Sequence, residues 1–125
     1  MDVTPQVPVG RQLIQAYGAG GFRIANTRHD GSVLVFPDHT VLWPVASFDG
    51  IAVDTLAEIA AAQPKVELLL IGTGAAMMPV LPAVRAHFRA LGIMFDTMDT
   101  GAACRTYNVL LAEDRRVAAA LIALT

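Results

Sequence analysis

The run Val66-Glu-Leu-Leu-Leu-Ile71, which ends abruptly in Gly72-Thr-Gly74, constrains this chain more than any other stretch. A nearly unbroken apolar run bounded by glycine is the pattern of a strand covered on both faces, as in a sheet with helices packed on it. The next segments of the chain keep that grammar. From Pro79 to Leu91, Val80, Val84, Phe88 and Leu91 share one helical stripe, Arg85 and Arg89 point to water, and Gly92 supplies the stop. Ile93–Met98 is expected as a second inner strand, a helix capped by Asp99 or Thr100 runs to Glu113, and residues 117–122 form a last strand after the exposed break Asp114-Arg115-Arg116. Helix and strand in alternation require right-handed crossovers and at least two parallel strands. Before this block, Thr55-Leu-Ala-Glu58 reads as a capping box for a helix closed by Pro64.

The first third reads differently. Gly21–Ala25, Ser32–Phe36 and Thr40–Trp43 are short strand patterns separated by Asp30-Gly31 and Pro37-Asp38, which predicts an antiparallel β meander. Residues 1–19, with two prolines and few periodic apolar positions, are expected as an N-terminal arm, and residues 20–125 as a single α/β domain.

Composition narrows the function classes. At 125 residues, 54% hydrophobic and 16% charged, the chain has the means to build one core and too little charge for global disorder. Nine Lys and Arg against eleven Asp and Glu leave a net charge of −2, so no field exists to hold nucleic acid. One cysteine forms no internal disulfide, and with three scattered histidines it reproduces no zinc spacing, so neither metal nor cofactor is expected. The mean hydropathy of +0.51 comes largely from alanine. Glycines and prolines interrupt the run from Val66 to Val84, which falls short of the roughly 20 apolar residues of a membrane span. The first residues show neither a secretion signal nor a transit peptide, which suggests a cytoplasmic, prokaryotic chain.

Two places carry candidate chemistry. The Gly72-Thr73-Gly74 turn leaves a buried strand ahead of a helix, where backbone amides can approach a phosphate or carboxylate. Met77 stands where a dinucleotide fingerprint needs glycine, and tight strand–helix packing explains the same glycines. The densest polar stretch, Asp99 to Asn108, begins where a parallel strand ends, the usual ligand edge of an α/β sheet. Arg105 and Asn108 share a helix face there and, with Thr73, can address one anionic group. Alternatively, Asp99 or Thr100 caps the helix and Arg105 pairs with Asp96 or Asp99.

Other residues offer less. Cys104 has no histidine near it in sequence and reads as a small buried thiol, while Asp38-His39 reads as solvated and His87 as structural. Met77-Met78 suits either an adaptable surface or a core gap. Trp43, beside Pro44, is either a contact anchor for a partner or a lid over one end of the core.

Ile71-Gly-Thr-Gly74, the Phe-Pro-Asp turn at 36–38, the Trp-Pro pair at 43–44 and the block from Met98 to Ile122 together resemble the domain of unknown function 498/598 family. The similarity spans roughly residues 20–122, and Asp114 stands where that family carries glycine. The family has bacterial and archaeal members and a mitochondrial complex I assembly factor. The resemblance implies a three-layer α/β domain: a central mixed sheet, helices on one face, the meander opposite, and 117–122 as an antiparallel closing strand. It transfers no catalytic residues. It implies a non-enzymatic interaction or assembly module whose partner is a respiratory-complex subunit. The alternative is a binding domain or minor enzyme whose groove, formed by Gly72, Thr73, Gly74, Asp99, Thr100, Arg105 and Asn108, holds a small anionic or nucleotide-like ligand.

Overall fold

The computed structural model describes residues 10–125. Eight strands divide into two sheets: β1 (Ile14–Gly18), β2 (Gly21–Ile24) and β3 (Thr27–Asp30) form one, antiparallel throughout. The second holds β4 (Val33–Val35), β5 (Thr40–Leu42), β6 (Leu68–Gly72), β7 (Met94–Met98) and β8 (Val117–Leu121), in the order β5-β4-β8-β6-β7. The expected single meander is therefore split, its later strands opening the central sheet.

The turn chemistry explains the split. The β2–β3 hairpin turns at Ala25-Asn26, with φ of 48° and 68°, the two positive values a tight type I′ turn needs. Gln15 holds this turn from β1, its Oε1 accepting from the Asn26 amide and its Nε2 donating to Asn26 Oδ1, each at 2.7 Å. Asp30-Gly31, expected to turn a hairpin, instead ends β3 and sends the chain into the other sheet with Gly31 at φ 92°. The arm expected over 1–19 is also corrected: Ile14–Gly18 pairs with β2, Tyr17 opposite Phe22. Only Ile14 of that strand is buried, so it left no alternating pattern to read. Residues 1–9 of the expected arm lie outside the described residues.

In the central sheet β6 runs parallel to β7 and β8, while β4 runs antiparallel to β5 and β8. Two expectations change here. Strand β8 is the middle of the sheet rather than its closing edge, and it is antiparallel only to β4; Ala118, Ala119 and Ala120, all fully buried, let layers on both faces approach closely. Strand β7 is an edge, half-exposed, with Met94 73% accessible, and Asp96 Oδ1 covers the Thr97 amide at 2.9 Å. Such a carboxylate blunts an open strand against unwanted pairing.

The helices are α1 (Ala57–Ala61), α2 (Pro82–Ala90) and α3 (Thr100–Ala112). Proline opens α2, whose missing amide costs nothing there, and Gly92 at φ 72° ends it. The capping box at Thr55 does not form. Its hydroxyl donates back to Ala52 O at 2.8 Å and accepts from the Ala52 amide at 3.1 Å, within a 3-10 turn at Asp54–Leu56 that precedes α1.

Alternate side chains of β6 enter opposite cores, as strand geometry demands. Leu69 and Ile71 meet α1, α2 and Trp43 on one face. Leu70 meets Tyr107 and Leu111 of α3 together with Phe22 and Ile24 of the small sheet on the other. The result is a three-layer α/β structure around a central mixed sheet. The small sheet shares its layer with α3, so helices cover both faces rather than one.

Candidate functional site

The exit of β6 and the start of α3 lie side by side. The Thr100 side chain is fully buried between them: its hydroxyl accepts from the Gly74 amide at 2.9 Å and donates to Ile122 O at 2.8 Å, and its own amide donates to Gly74 O at 2.8 Å. Glycine at 72 permits this approach, since a Cβ there would stand 3.0 Å from Thr100 Cα and from Leu121 Cδ2. The Thr73 amide donates to Met98 O at 2.9 Å, and its hydroxyl donates to Ala76 O at 2.7 Å while accepting from Met78 N at 3.0 Å. Asp99 is the N-cap of α3, its Oδ1 accepting from the Ala102 amide at 2.9 Å. The amides of Thr73 and Gly74 are thus both engaged within the fold, and the notch is a lock that joins β6, β7, β8 and α3.

Arg105 and Asn108 do not face this notch. The Arg105 guanidinium is exposed and donates to Tyr17 Oη at 2.9 Å. The expected pairing with Asp96 or Asp99 is absent among the described residues. Tyr17 lies over Gly101, where a Cβ would come within 2.8 Å of its hydroxyl, which explains a glycine in the first turn of a helix. Asn108 grips Ile14: Oδ1 accepts from the Ile14 amide at 2.9 Å and Nδ2 donates to Ile14 O at 2.8 Å. The seven residues grouped by sequence therefore form two units, one a sheet-end lock and the other a fastening of α3 to β1. A helix face alone does not distinguish these directions, because β1, with only Ile14 buried, carries no alternating pattern that marks it as a strand.

Trp43 is a core residue, 2% exposed, with Nε1 donating to Thr55 O at 2.9 Å, so it is a lid over the core and not the expected partner anchor. Its flanks Leu42 and Pro44 are exposed. The larger exposed apolar group is on the loop that Thr73 fastens, where Met77, Met78 and Leu81 are 57%, 41% and 52% accessible. Burial pushes the Cys104 thiol up to about 12, which favours its protonated form at neutral pH. His39 is hydrogen-bonded to Asp38 at 2.7 Å and stacked on Phe36; that bond holds the Asp38 carboxyl below its usual range. Among the described residues, no three His, Cys, Asp or Glu side chains converge to hold a metal.

Sequence reasoning missed a cleft at the opposite end of the sheet. It has a volume of about 440 Å³ and lies between the Phe36–His39 turn, the end of α1 and the Asp114–Arg116 turn. Phe36, Ala62, Val66 and Val117 provide its apolar lining. The signals were present as three separate turns, but nothing local indicated that they share one wall.

Two sheets packed in this manner, with a self-satisfied glycine–threonine lock at one rim and a cleft at the other, define a small three-layer α/β domain. The chain belongs to the family described as "Protein of unknown function (DUF498/DUF598)", whose model matches residues 14–122. An uncharacterized protein of Rhodobacter capsulatus is 38% identical over 96% of this chain and 93% of its own length. NADH dehydrogenase [ubiquinone] 1 alpha subcomplex assembly factor 3 of Xenopus tropicalis is 33% identical over 88% of this chain. The chain spans 60% of that relative's length. A crystal structure from Bartonella henselae, described as an outer membrane protein, superposes with a TM-score of 0.87 at 39% identity, covering 94% of this chain and 98% of that one. No helix among the described residues is long and apolar enough to cross a membrane.

Proposed function

We propose that this chain is a non-enzymatic protein-binding module of the assembly-factor type, acting on a subunit of a respiratory complex in the cytoplasm. The observation that carries this reading is the loop after β6. Met77, Met78 and Leu81 stand exposed on it, and the Thr73 hydroxyl holds its first turn. Methionine side chains adapt to varied apolar partners, and an anchored loop loses less entropy on binding than a free one. The likeness to assembly factor 3 supports the choice of partner class, and the match covers 88% of this chain. The reading uses no cofactor, metal or nucleic acid.

The test is affinity purification of the full chain from its own host. A respiratory-complex subunit should be recovered in stoichiometric amount and lost from a Met77→Asp/Leu81→Asp variant whose melting temperature is unchanged. Recovery of the chain alone, or equal recovery with the unaltered chain and the variant, would overturn it.

A further inference from the structure

We propose that the cleft between the Phe36–His39 turn, α1 and the Asp114–Arg116 turn binds a small monocarboxylate with an apolar body, and that Arg116 receives the carboxylate. This site is separate from the loop of the proposed function and does not depend on it. The cleft's volume of about 440 Å³ falls in the ordinary range of small-molecule pockets, and its lining combines apolar side chains with charged ones.

The charges there can be paired off. Arg11 meets Asp114 at 3.2 Å, and Asp38 meets His39 at 2.7 Å. Arg115 meets Glu67, just outside the cleft, at 3.0 Å. Arg116 is the lining arginine without a carboxylate partner among the described residues; its Nε donates to Lys65 O at 2.9 Å, which fixes one edge of the guanidinium, and no side chain among the described residues bonds its terminal nitrogens. A planar guanidinium with two free edge donors matches one carboxylate. The balance of signs limits the ligand. Three arginines and three acids line the cleft, and two of the arginines are held in ion pairs, so one free guanidinium can offset one negative charge, whereas the further charges of a polyphosphate would face Glu58 with no lining arginine left to offset them. Beyond the carboxylate, Phe36, Val66 and Val117 offer an apolar floor that rewards each buried methylene.

The probes are butyrate, hexanoate, octanoate and 3-phenylpropionate, titrated into the full chain and followed by calorimetry and by amide chemical shifts. Octanamide and ATP are run alongside. Affinity should rise about threefold to fourfold per methylene. Shifts should cluster at Val66, Val117 and Phe36. Arg116→Gln should weaken carboxylates about tenfold while leaving octanamide unchanged. A second variant, Ala62→Leu, should fill the cleft and abolish both, with Arg105→Gln as a control at a distant surface. The inference is overturned by no binding at millimolar carboxylate, by ATP binding more tightly, by indifference to Arg116→Gln and Ala62→Leu, or by shifts centred on Gly72 and Thr100.

Discussion

The side-chain amide of Asn108 pairs with both backbone groups of Ile14, accepting from its N–H at 2.9 Å and donating to its C=O at 2.8 Å. A helix residue thereby acts as a strand neighbour for β1, fastening the outer sheet to α3 where backbone pairing ends. Asn108→Ala leaves a partly buried amide and carbonyl without partners, a loss of about 1–3 kcal/mol. Urea denaturation should show that loss, and hydrogen exchange at the Ile14 amide should accelerate more than exchange in β6.

Thr100 carries a comparable burden at the other end of α3. Thr100→Val preserves shape but strands the Gly74 amide and the Ile122 carbonyl in a fully buried position. The expected cost is about 2–4 kcal/mol, against about 1 kcal/mol for Thr100→Ser, which keeps the hydroxyl. Similar melting temperatures for the two variants would show that the hydroxyl is not what joins the strands.

Cys104 should be inert while the protein is folded. Its thiol is raised from 9.0 to about 12, first by desolvation, so at pH 8 its thiolate fraction is ~1000-fold below that of the unfolded chain. Disulfide reagents should label it quickly in urea and slowly in buffer, the native rate rising about tenfold per pH unit up to pH 11.

The link from α3 to β8 turns at Asp114, which adopts φ 59°. Aspartate tolerates this left-handed conformation better than most residues, and glycine tolerates it best. Asp114→Gly should be neutral or stabilise by up to about 1 kcal/mol, because the Arg11 ion pair it removes has an aspartate 92% exposed. Asp114→Val should destabilise by about 1–2 kcal/mol, and thermal melts of the three proteins test that order.

Where apolar side chains were unbroken or strictly periodic, chain order alone was informative. The run into Gly72, the stripe of α2, the cap at Asp99 and the strand at 117–121 all reflect short-range physics: burial on both faces, helical period and the needs of orphan amides. The same logic put Gly74 beside Thr100, since a parallel strand and the next crossover helix meet at one sheet rim. Residues whose partners lie far along the chain were not legible. Asn108 reaches Ile14 across 94 positions and Arg105 reaches Tyr17 across 88, and neither distance leaves a local mark. Trp43 was equally suited to a surface or a core until Thr55 supplied an acceptor for its indole. The place of β8 at the centre, β7 at the edge and the cleft formed by three distant turns were decided by strand order. That order is set by which apolar faces bury one another best once the chain has collapsed, and no window of sequence contains both faces.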